Sequence, residues 1–109
     1  ELYKVEEFPN DMVKLAELIQ QSTEELRRAV FELRNMRNMR DITDSLVRVN
    51  SIEYHADDIF DHAVANLFEK ETNAVVIIKL KEILSALETA TDKCEDAANV
   101  MESVIVKFS

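Results

Sequence analysis

Glycine and tryptophan are absent from these 109 residues, and proline and cysteine occur once each, as Pro9 and Cys94. Without glycine, the tight turns of a hairpin-rich sheet lack their usual residue, and a glycine-rich phosphate loop is excluded outright. A lone cysteine forms no internal disulfide. Cys94 sits among apolar positions of a predicted helix and reads as a core residue, compatible with a reducing compartment. Long apolar runs are missing too. The longest, Ala74 to Ile78, has five residues, against the roughly 18 needed to cross a bilayer. No secretory signal pattern is seen, and the chain itself reads as soluble. Basic excess is lacking as well: the formal net charge is −9, which argues against nucleic acid or an anionic membrane surface as a partner and favours cations.

What the chain does contain is helix-forming material arranged in three amphipathic stretches. Pro9, Asn10 and Asp11 form a start signal, with the acid suited to a first helical turn. From there Met12, Leu15, Leu18, Ile19, Leu26, Val30, Leu33 and Met36 recur by threes and fours, predicting a helix to about Met39. Residues 1–8 read as an entering strap. Asp41 and Asp44 resemble a capping arrangement opening a second helix over 41–69, whose stripe is Ile42, Leu46, Val49, Ile52, Ala56, Ile59, Ala63 and Leu67. No Gly or Pro marks the boundary near Arg40, so one continuous bent helix is the alternative there. Glu71, Thr72 and Asn73 favour a turn and a cap. Beyond them Val76, Ile77, Leu80, Leu84, Leu87, Thr91, Cys94, Ala98, Met101 and Ile105 define a third helix over 73–107. Short connections make neighbouring helices antiparallel, so the expected fold is all-α, a single-domain up-down-up three-helix bundle.

Two acidic pairs at helical spacing stand out: Glu53 with Asp57 on the second helix, and Glu88 with Asp92 on the third. Like charges four residues apart repel, and neither pair has a Lys or Arg four residues away on its own helix. A turn centred near Thr72 and Asn73 sets opposite one another residues whose numbers sum to about 145. Glu53 with Asp92, and Asp57 with Glu88, both satisfy that register. All four acids flank the apolar stripes, so they reach a groove between helices, where a multivalent cation would relieve their repulsion. An all-oxygen set suits magnesium, calcium, manganese or ferric iron. Glu95, Asp96 and Asn99 continue the polar side of the third helix as further donors. The alternative is an ordinary solvated acidic face.

His62 follows Asp58 by one turn, a spacing able to ligate zinc, but neither histidine belongs to a Glu-x-x-His motif of di-iron bundles, and both read as surface residues. Arg27, Arg28, Arg34, Arg37 and Arg40 either form a basic ridge or simply complement a helix C-terminus; the second is the simpler account. Charge is uneven: residues 1–40 carry seven bases and eight acids, residues 41–109 six and fourteen. No nucleophile elbow or Ser/His/Asp constellation can be assembled, so an enzyme is not expected.

The stretches Ile52 to Asp57 (IEYHAD), Ala65 to Phe68 (ANLF), Ile78 to Ile83 (IKLKEI) and Leu87 to Asn99 (LETATDKCEDAAN) resemble the PhoU-like family of phosphate-transport regulators, specifically the branch of accessory proteins beside Pit-type inorganic phosphate transporters. The resemblance implies a helical bundle that forms one of two similar three-helix halves. It also implies Glu/Asp-x-x-x-Asp motifs that bind multinuclear iron, zinc or other metal clusters on the bundle surface. Glu53, Asp57, Glu88 and Asp92 match those motifs, and Asp96 extends the second. Family members are usually about twice this length, and this chain is similar to the C-terminal half. The implied partners are a membrane phosphate transporter, contacted from the cytoplasmic side, and a second copy of the chain.

Overall fold

The computed structural model describes residues 10–35 and 39–108. They form three helices: α1 (Asn10–Asn35), α2 (Met39–Lys70) and α3 (Ala74–Phe108). All three pack on one another, antiparallel in sequence order, in an elongated bundle of 54 × 23 × 16 Å. No strand occurs among the described residues. The expected all-α three-helix bundle is the observed fold. The expectations about the strap at residues 1–8, about Pro9, and about Met36 and Arg37 fall outside the described residues.

Local chemistry accounts for the α2–α3 turn. The Glu71 carboxylate accepts from the amides of Thr72 and Asn73, at 3.2 and 3.1 Å. Asn73 then caps α3, its side-chain oxygen accepting from the amides of Val75 and Val76 at 2.9 and 3.3 Å. These bonds satisfy amides that a helix start leaves without partners, so the chain reverses without glycine. The Asp41 expectation is corrected in position: α2 begins at Met39, so Asp41 stands inside the first turn, where it complements the helix dipole, rather than at the cap.

The buried side chains divide into two clusters. One joins Met12, Leu15 and Leu18 to Ala56, Ala63, Leu80 and Leu84; the other joins Ala29 to Ile42, Leu46, Val49, Cys94, Ala98 and Met101. The predicted stripes of α2 and α3 are buried or half-buried throughout. On α1 one expectation fails: Val30 is exposed, and the inward positions around it belong to Ser22 and Ala29. Helical phase explains this, because Ser22 and Ala29 lie two turns apart on the inward side while Val30 is turned a further 100° away. Small residues at Ala29, Ala56, Ala63 and Ala98 let the helix axes approach closely.

Between the two apolar clusters lies a polar layer. Ser22 of α1 and Thr91 of α3 are each 1% exposed and Glu53 of α2 is 7% exposed, all at mid-bundle. A buried glutamate in a core that could hold leucine demands an explanation, since charge removed from water is unfavourable unless compensated.

Candidate metal centre

The α2–α3 hairpin brings the two acidic pairs together. One carboxylate oxygen from each of Glu53, Asp57, Glu88 and Asp92 lies within 4.8 Å of all the others. The register explains the convergence: with the turn at residues 71–73, equal rise on both arms sets Glu53 level with Asp92 and Asp57 level with Glu88. Their depth follows from their neighbours. Glu53 falls between Val49 and Ala56, both fully buried, so the inward face of α2 carries it below the surface. Asp57 and Glu88 are half-buried, while Asp92 opens toward solvent. Beside them the Thr91 hydroxyl donates to the Glu88 carbonyl at 2.7 Å, so its polar atom is satisfied inside α3.

Crowding shows in the acidity of the group. Burial pushes the Glu53 carboxyl up to about 8, helped by hydrogen bonding to Asp57 and Asp92 and by the charges of Asp57 and Glu95. Glu88 is pushed up to about 7, again by burial first, then by hydrogen bonding to Asp57 and the charge of Asp92. Glu95 is also raised, by burial and by the charges of Asp92, Asp57 and Asp96. Near neutral pH, without a cation, the cluster therefore keeps protons that ordinary carboxyls would have lost.

The donor set fits a hard cation. Four carboxylate oxygens converge from two helices with no Lys or Arg among them, the composition oxygen-seeking ions require. The Asn50 side-chain oxygen, also on α2, is buried with no hydrogen-bond partner, but it stands about 10 Å along the helix from Asp57 and is not one of the gathered donors. Asp96 is not gathered into the group: it is exposed, whereas its neighbour Glu95 is half-buried and feels the cluster's charge. His55 and His62 are exposed and outside it.

Two arginines of the candidate basic ridge are already paired. Arg27 pairs with Glu24 at 2.7 Å and Arg28 with Glu25 at 3.4 Å, one turn earlier on α1. An unforeseen tie joins helices: Arg48 of α2 reaches Glu25 of α1 at 3.0 Å. Glu24, Glu25, Arg28 and Arg48 border an open groove of about 600 Å³ between α1 and α2.

Fold and site together define a three-helix bundle with a carboxylate cluster bridging its second and third helices. In sequence, the chain is similar to the UPF0111 protein YkaA of Bacillus subtilis (strain 168), with 25% identity over 107 residues. The match covers 98% of this chain and 52% of the relative, so the chain spans about half the length of the curated relative it matches. No family model and no solved structure matches. Among the described residues, no helix is long and apolar enough to cross a membrane.

Proposed function

We propose that this chain is a metal-binding, non-catalytic domain of the PhoU-like kind. In this reading Glu53, Asp57, Glu88 and Asp92 hold a multivalent cation that clamps α2 to α3. The observation that carries the proposal is the convergence of four carboxylates within 4.8 Å across two helices, one of them almost wholly buried. The cation replaces the protons the cluster otherwise keeps, and two divergent pairs of acids become one cross-link between helices. Magnesium, calcium, manganese and iron suit the oxygen donors; zinc is the softer alternative drawn from the resemblance. The likeness to the UPF0111 protein over nearly the whole chain supports the PhoU-like kinship. The finer reading rests on the resemblance: a regulator docked on the cytoplasmic face of a Pit-type phosphate transporter, presenting its acidic, metal-capped surface there. Asp96, exposed one turn beyond Asp92, is available to that surface as an outer donor.

Metal content decides the core of the proposal. Protein purified without chelator and dialysed against each cation should retain about one or more ions per chain. Asp57→Asn together with Asp92→Asn should lose them while far-UV circular dichroism stays unchanged. Equal metal content in the double variant would overturn the assignment. The second reading is a metal-free interaction bundle, favoured by the weakened acidity of Glu53 and Glu88, which lets the cluster persist by sharing protons. It predicts no retained metal and no cation-dependent rise in stability.

A further inference from the structure

We draw no further inference here: the strongest candidate, the apolar outer edge of α3 where Val75, Ile78, Val100 and Val104 stand exposed, carries no proposal because nothing in the structure shows what covers it.

Discussion

Glu53→Gln isolates the energetic consequence of placing an acid inside the bundle. In the metal-free protein the folded-state carboxyl is raised from an ordinary value of 4.5 to about 8. The folded state therefore binds its proton more tightly than the unfolded chain. Stability from this group is fully present below about 4.5 and is lost as pH rises through about 8. One proton contributes about 1.4 kcal/mol per pH unit over that interval, an upper bound of roughly 4–5 kcal/mol for a group as buried as Glu53. Glu88, half-buried and pushed up to about 7, adds a smaller term of the same sign that water screens. Domains of this size have about 5–15 kcal/mol in total, so the metal-free chain should be much weaker at pH 8.5 than at pH 5. Glutamine keeps the shape and a hydrogen-bond donor toward Asp57 and Asp92 but has no proton to lose. Urea unfolding in chelator should find the variant within about 1 kcal/mol of the parent at pH 5 and roughly 2–4 kcal/mol more stable at pH 8.5. With saturating cation the order should reverse, because only the parent gains binding free energy. The reasoning fails if the metal-free parent becomes more stable between pH 5 and 8.5, or if the two proteins lose stability in parallel.

Asn73→Ala removes the oxygen that accepts from Val75 and Val76. It should cost about 1 kcal/mol, read as a fall of about 4–8 °C in thermal midpoint with unchanged helicity. Arg48→Met breaks the contact with Glu25, which is half exposed on the arginine side. A loss below about 1 kcal/mol that shrinks with added salt is expected in chemical denaturation, and a salt-independent loss would point to packing of the arginine stem instead.

Composition and periodicity were enough to read three helices and their inward faces, because a chain without glycine and with apolar residues at steps of three and four has few other ways to bury them. The pairing of Glu53 with Asp92 and of Asp57 with Glu88 was legible too, since a short turn between two regular helices leaves only one register. Val30, Asp41 and Asp96 show where that logic ends. Periodicity tolerates a phase error of one residue, cap signals tolerate a shift of two, and an acid one turn further along a helix can point past a site as easily as into it.

Depth is what only the tertiary structure decided. A linear pattern places Glu53 beside an apolar stripe, but its burial between Val49 and Ala56 depends on how closely the three helices approach. That distance is set by the alanines where the helices meet, and it converts an acidic edge into a group of carboxyls that must keep protons or take up a cation. Helical periodicity is a property of one segment, whereas the shielding of a charge from water belongs to all three at once.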